Sequence, residues 1–145
     1  MKNEMELKVI GIPQNESFAR AVVAAFVAQL DPTMEELADI RTAVSEAVTN
    51  AVIHGYENTT GEIRIKVVLE DREVVIEITD YGKGIADIEQ AMEPFYTTRP
   101  EMERSGMGFS FMEAFMDSLH IESEVGRGTK ILMRKVIGSN RESNA

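Results

Sequence analysis

The chain contains no cysteine. That removes disulfides, thiolate zinc sites and cysteine nucleophiles, and it fits a reducing compartment. Cations are scarce too: 15 Lys and Arg stand against 25 Asp and Glu, a net charge of −10. A phosphate backbone calls for clustered Lys and Arg, and no such cluster occurs, so direct nucleic-acid binding is not expected. Long hydrophobic runs are missing. No segment reaches the roughly 20 apolar residues that span a bilayer, and the opening MKNEMELK lacks the apolar core of a signal peptide. A cytoplasmic location without membrane contact is expected. The phosphate-loop pattern GxxxxGK[ST] is also absent.

What is present is the composition of an ordinary soluble globular protein, 43% hydrophobic and 28% charged over 145 residues. One domain is expected over residues 1–138, burying about 70% of its unfolded surface, with a polar tail at 139–145. Alternation at Met5, Leu7 and Val9 predicts a strand stopped by Pro13. Asn15 is placed to cap a helix running to about Leu30, broken by Asp31-Pro32. Thr33 and Glu36 form a capping-box pattern for a second helix that reaches about His54, before Gly55. His54 is expected to close the C-terminus of that helix, where a His favours the dipole.

Ile63–Leu69 and Val74–Ile78 read as strands joined by a hairpin at Glu70-Asp71-Arg72. A short helix is expected at Asp87–Met92, a lid-like loop at Glu93–Ser105 and a helix from Gly108 to about Leu119. Final strands are expected at His120–Val125 and Thr129–Val136, around Gly126-Arg127-Gly128. Ile63, Ile65, Val67 and Leu69 share one strand face, and Val74, Ile76 and Ile78 repeat the pattern. One face seeks a core and the other is polar. The expected fold is α/β (α+β), a two-layer sandwich in which a mixed five-stranded sheet carries its helices on one face.

Three short stretches carry the chemistry: Glu46–Gly55 (EAVTNAVIHG), Asp80–Ile85 (DYGKGI) and Ser105–Phe111 (SGMGFSF). Glu46 and Asn50 lie four apart and so share a helix face. A carboxamide oxygen suits Mg²⁺, and a carboxylate one turn earlier can orient or deprotonate a nucleophile at a γ-phosphate. The alternative is that both are ordinary polar residues of a helix surface. Asp80 opens a glycine loop at a strand end, where an acidic acceptor can take a hydrogen bond from an exocyclic amine such as that of adenine. Its alternative is a turn whose Asp bonds only its own backbone. Ser105-Gly106-Met107-Gly108 enters a helix whose free first-turn amides suit a phosphate, or else is a simple loop-to-helix junction. Arg99 and Arg104 stand in the preceding lid, Arg104 beside the glycines and therefore the better γ-phosphate contact; Lys83 is a further candidate.

This ordered set resembles the GHKL superfamily of gyrase-type and Hsp90-type ATPases and histidine kinases. Its N box looks like Glu46 to Asn50, its first glycine box like Asp80 to Gly84, and its second like Gly106 to Gly108. Gly126-Arg127-Gly128-Thr129 looks like the last box, where a Thr hydroxyl supports the adenine contact, and Glu93–Thr98 (EPFYTT) looks like the lid entry of histidine kinases. EAVTNAVIHGY in a chain of this size is similar to the serine kinases that act as anti-sigma factors in spore-forming bacteria. The lid departs from many relatives in being acidic and Arg-containing (RPEMERSG) rather than rich in glycine.

The resemblance implies the Bergerat fold, with ATP and Mg²⁺ as cofactors and Glu46 and Arg104 as catalytic residues. Nucleotide contacts would come from Asn50, Asp80, Gly82, Gly84, Thr98, Ser105, Gly106, Met107, Gly108, Phe109 and Thr129, with Asn50 also the metal ligand. It implies a sigma factor as partner and an anti-anti-sigma protein as the substrate phosphorylated on serine. Two other readings share the fold: a nucleotide-gated binding module without turnover, and a histidine kinase catalytic domain, for which a chain with 2 His is an unpromising match. Helix one (SFARAVVAAFVAQL, Ser17–Leu30) carries Arg20 as its single charge. A helix apolar all round is buried on more than one side, so one face is expected on the sheet and another on a protein, with Glu16 and Arg20 marking the docking surface. A well-covered internal helix is the alternative. The N-terminal strand offers an edge for a homodimer.

Overall fold

A computed structural model describes residues 2–56, 59–93 and 108–138. Five strands form one sheet: β1 (Lys2–Ile10), β2 (Glu62–Glu70), β3 (Glu73–Asp80), β4 (Ser118–Glu124) and β5 (Gly128–Val136). Their spatial order is β1-β2-β3-β5-β4. The two-layer arrangement is the expected one, but every pairing is antiparallel, so the sheet is not mixed. Short turns at residues 71–72 and 125–127 make β2–β3 and β4–β5 hairpins, and a hairpin can only be antiparallel.

The period-2 alternation decides which face is dry. Ile63, Ile65, Val67 and Leu69 of β2, Val74, Ile76 and Ile78 of β3, and Ile131 and Met133 of β5 are buried on one face. On that face lie α1 (Gln14–Val27) and α2 (Met34–Asn50), with the shorter α3 (Ile88–Ala91) and α4 (Gly108–Phe115) completing the α-helices of the described residues. The buried stripe of α2 is Ile40, Ala43, Val44, Ala47 and Val48; that of α1 is Ala19, Val23, Ala24 and Val27. Removing this apolar area from water is the main driving force, about 25 cal/mol per Å². No helix among the described residues is long and apolar enough to cross a membrane.

Helix ends follow local chemistry. The capping box of α2 is present: Thr33 Oγ1 accepts from the Glu36 amide at 3.0 Å, and Glu36 Oε1 accepts from the Thr33 amide at 2.8 Å. Asn15 does not cap α1. Its side-chain amide instead donates to the Ile10 carbonyl at 2.8 Å, tying the helix to the end of β1. At its far end α2 widens into a π-helical turn, Ala51–Gly55, closed by the Tyr56 amide on the Ala51 carbonyl at 3.0 Å. Helix α4 stops at Phe115 rather than near Leu119. Lys135 Nζ holds the Phe115 carbonyl, and the Asp117 amide already bonds Arg134 of β5, so Ser118 and Leu119 enter β4 instead.

The C-terminal end of the described chain is clipped to α2. Glu36 is 9% exposed, and its second oxygen accepts from the Gly138 amide at 2.8 Å. Arg72 and Ile137 exchange two further hydrogen bonds beside it. The polar tail 139–145 lies outside the described residues. Glu36→Ala orphans two backbone amides at once and should cost about 3 kcal/mol in urea denaturation, with Glu36→Gln retaining part of that stability.

Candidate nucleotide site

Asp80 is the last residue of β3, between Ile63 of β2 and Thr129 of β5. Strand alternation turns its side chain inward after Ile76 and Ile78, and it is only 3% exposed. Burial pushes its carboxyl up to about 6, against the opposing effect of the Gly82 and Thr129 backbone N–H groups that donate to it. The Gly82 bond, at 2.9 Å to Oδ1, is the local turn contact expected of an Asp that bonds its own backbone. Here that turn sits inside the protein, which leaves a proton acceptor with few partners in an apolar corner.

The end of α2 is pressed against this corner. A Cβ at Gly55 would lie 2.8 Å from Asp80 Oδ1, and one at Gly82 would lie 1.9 Å from the Gly55 carbonyl oxygen. The two glycines are therefore required by close approach, and the Lys83 amide bonds the same Gly55 carbonyl at 2.9 Å. Glu46 and Asn50 are half-buried on α2, upstream of this contact, while Ala47, Val48 and Ala51 are buried among the core residues. The helix that carries them continues into the turn whose Gly55 lies against Asp80. Thr129, 4% exposed, completes the corner from β5.

Two residues that sequence reasoning left out hold the site together. Tyr56 follows the Glu46–Gly55 stretch directly; its hydroxyl donates to the Glu62 carbonyl and accepts from the Tyr81 amide at 2.7 Å, bracing the residue after Asp80. Ser123 of β4 bonds the Ile85 amide, the Gly128 carbonyl and the Thr129 hydroxyl. The available signal was a hydroxyl at an inward strand position otherwise occupied by Leu119 and Ile121.

Gly84 is held in the left-handed region (φ 77°), against the Glu124 carbonyl. Gly108 opens α4, which packs on α2. Phe109 is 7% exposed and belongs to the hydrophobic core. Thr98, Arg99, Arg104, Ser105, Gly106 and Met107 lie outside the described residues. Among the described residues no group of three His, Asp or Glu could hold a metal ion by itself. A shallow depression lined by Thr79, Glu122, Arg127 and Lys130 opens beside Asp80 on the outer face of the sheet, away from α2.

On α1, Glu16 accepts from Ser45 of α2 and pairs with Arg20 at 3.5 Å. The Glu16 side chain is 12% exposed and that of Arg20 40% exposed. Beside them Ser17, Phe18, Ala21 and Ala25 face solvent, so the second apolar face expected of this helix exists.

Comparison with known proteins bears on all of these parts. The family described as "Histidine kinase-like ATPase domain" matches residues 13–135, from the start of α1 to β5. An anti-sigma F factor of Clostridium acetobutylicum is 60% identical over 135 residues, covering 93% of this chain and 94% of that protein. The chain belongs to the anti-sigma F factor family. A second relative, the anti-sigma F factor of Caldanaerobacter subterraneus subsp. tengcongensis, is 60% identical over 139 residues, 96% of this chain and 97% of that one. In Clostridium botulinum the corresponding factor is 60% identical over 135 residues. Membership of an ATPase domain family implies an ATP site in this anti-sigma F factor family member, and the Asp80 corner lies within the matched region.

The raised carboxyl has a consequence for stability. Native Asp80 keeps its proton to about pH 6, whereas the unfolded carboxyl releases it near 3.8. Between those values the native chain binds more protons than the unfolded one, so stability falls as pH rises through that window. Asp80→Asn carries no charge at any pH. It should match the parent near pH 4 and exceed it by about 2–3 kcal/mol at pH 7, read by urea denaturation across that range.

Proposed function

We propose that the protein is an ATP-dependent serine kinase that also holds a sigma factor, and that it phosphorylates and so inactivates an anti-anti-sigma protein. The observation that carries the reading is the close approach of Gly55, at the end of the turn that continues the helix of Glu46 and Asn50, to the buried Asp80 within a chain about 60% identical to anti-sigma F factors. Asp80 accepts a hydrogen bond from the exocyclic amine of adenine, and Thr129 supports it from β5. The glycines at 82 and 84 let the loop lie close against the protein beneath a flat base.

The donor set suits a magnesium ion that arrives with the nucleotide, because Mg²⁺ takes few protein ligands and otherwise binds phosphate oxygens and water. Asn50 is the ligand on this chain, and the bound ion would neutralise charge on the phosphates. Glu46, one turn earlier, accepts the seryl proton as the serine oxygen bonds to the γ-phosphorus. The bond from that phosphorus to the bridging oxygen breaks and ADP leaves. Arg104 is assigned to the γ-phosphate. Ser105, Gly106, Met107, Gly108 and Phe109 are assigned to the phosphates at the start of α4, with Thr98 at the lid entry.

Sigma factor and substrate are assigned to the face of α1 that carries Arg20, with Glu16 orienting it. The outer edge of β1 is assigned to a homodimer contact, since β1 pairs only with β2 among the described strands. A partner that binds RNA polymerase places the protein in the cytoplasm.

Transfer of γ-labelled phosphate from Mg-ATP to an anti-anti-sigma protein should yield an acid-stable label. Glu46→Ala should abolish that transfer, at least about 100-fold, with ATP affinity largely retained. An acid-labile label would point to histidine phosphorylation, and partner capture without label to a nucleotide-gated binding module. Arg20→Ala should weaken both partner complexes by about tenfold or more in calorimetry, leaving ATP binding unchanged.

A further inference from the structure

Three groups converge on one oxygen, the Oγ of Ser123. The Ile85 amide donates to it at 2.7 Å, the Gly128 carbonyl lies at 3.0 Å and the Thr129 hydroxyl at 2.8 Å. A serine hydroxyl has one proton and two lone pairs. The Ile85 N–H occupies one lone pair. Two oxygens 3.0 Å apart repel unless a proton lies between them, and the Gly128 carbonyl has none, so the serine proton points there. The remaining lone pair then takes the only proton of Thr129. That leaves the Thr129 oxygen with lone pairs alone.

Asp80, beside it, accepts from two backbone amides and, once ionised above about pH 6, likewise offers only lone pairs. Asp80 and Thr129 are 3% and 4% exposed, so bulk water has little access with which to reverse this polarity. The corner is an acceptor pair whose sense is set by a residue behind it.

We propose that Ser123 is a specificity-positioning residue: by binding the Thr129 proton it keeps the corner an acceptor, and so selects a 6-amino purine over a 6-oxo purine. The proposal rests on the reading of Asp80 as the base-recognition residue. A 6-amino group supplies donors to the corner. In a 6-oxo purine the amine becomes a carbonyl and N1 gains a proton, so the position that meets Asp80 changes from donor to acceptor, and acceptors left facing one another in a buried site are costly. Ser123 itself need not touch the nucleotide.

The test is calorimetric binding of ATP and of inosine triphosphate, which differ at the 6-position and in the proton on N1, to the full chain at pH 7. The parent should prefer ATP. In Ser123→Ala, Thr129 regains the freedom to point its proton outward, and the ATP-to-inosine preference should shrink about tenfold. Ser123→Thr, which keeps the hydroxyl, should restore it. Equal weakening of both nucleotides would show only a loosened loop and overturns the proposal. Thr129→Val removes the acceptor by a separate route and should narrow the preference as well; an unchanged preference there also overturns it. Asp80→Asn separates the two levels. Unimpaired ATP binding in that variant defeats the base reading itself, whereas lost binding there with full preference in Ser123→Ala defeats only the role of Ser123.

Discussion

A carboxylate buried at the end of a central strand organises this molecule. Asp80 occupies an inward position that its strand fills with Ile78 and Ile76 one and two pleats earlier. Desolvation disfavours its charge, and two backbone N–H groups only partly offset that. An acceptor held in this state interacts more strongly with a ligand donor than one in water, because the surrounding medium is less polarisable. The close glycines follow from the same constraint. Any side chain at position 55 or 82 would push the helix end or the loop away and open the corner to solvent.

The helix that faces this corner is secured at both ends. Its N-terminus is capped reciprocally by Thr33 and Glu36, and the second oxygen of Glu36 reaches Gly138, 102 residues along the chain. Its C-terminus widens into a five-residue turn, whose last glycine carbonyl receives the Lys83 amide. Widened turns of this kind are frequent at functional sites, where they shift the side chains before and after them. Between these anchors Glu46 and Asn50 ride on a helix with little freedom to slide. The seam with α1 runs through Ser45, the neighbour of Glu46, and Glu16. The proposed partner surface and the proposed catalytic helix are therefore joined through one short set of polar contacts.

Much of this was legible in the residues. The capping box at Thr33 and Glu36, the alternation of β2 and β3, the hairpin at 71–72 and the helix after Gly108 all rest on local rules, and each is observed. Asn favours a helix N-cap, but the side-chain amide of Asn15 bonds the end of β1 instead. The apolar run of α4 continues through Leu119 and suggests a longer helix, whereas pairing with β5 claims that segment for a strand. The roles of Tyr56 and Ser123 depend on atoms distant in sequence, the Tyr81 amide 25 residues from one and the Ile85 amide 38 residues from the other.

Local pattern suffices for most of the elements, for the dry faces of β2 and β3 and for the chemical candidates Glu46, Asn50 and Asp80, since periodicity, capping and residue chemistry are short-range properties; Thr129 enters only through the resemblance to the GHKL superfamily. Packing, by contrast, sets the strand order β1-β2-β3-β5-β4, buries Asp80 against Gly55 and brings the Ser123 hydroxyl onto the Ile85 amide. Those outcomes depend on distances between segments tens of residues apart, which packing sets and no local pattern encodes.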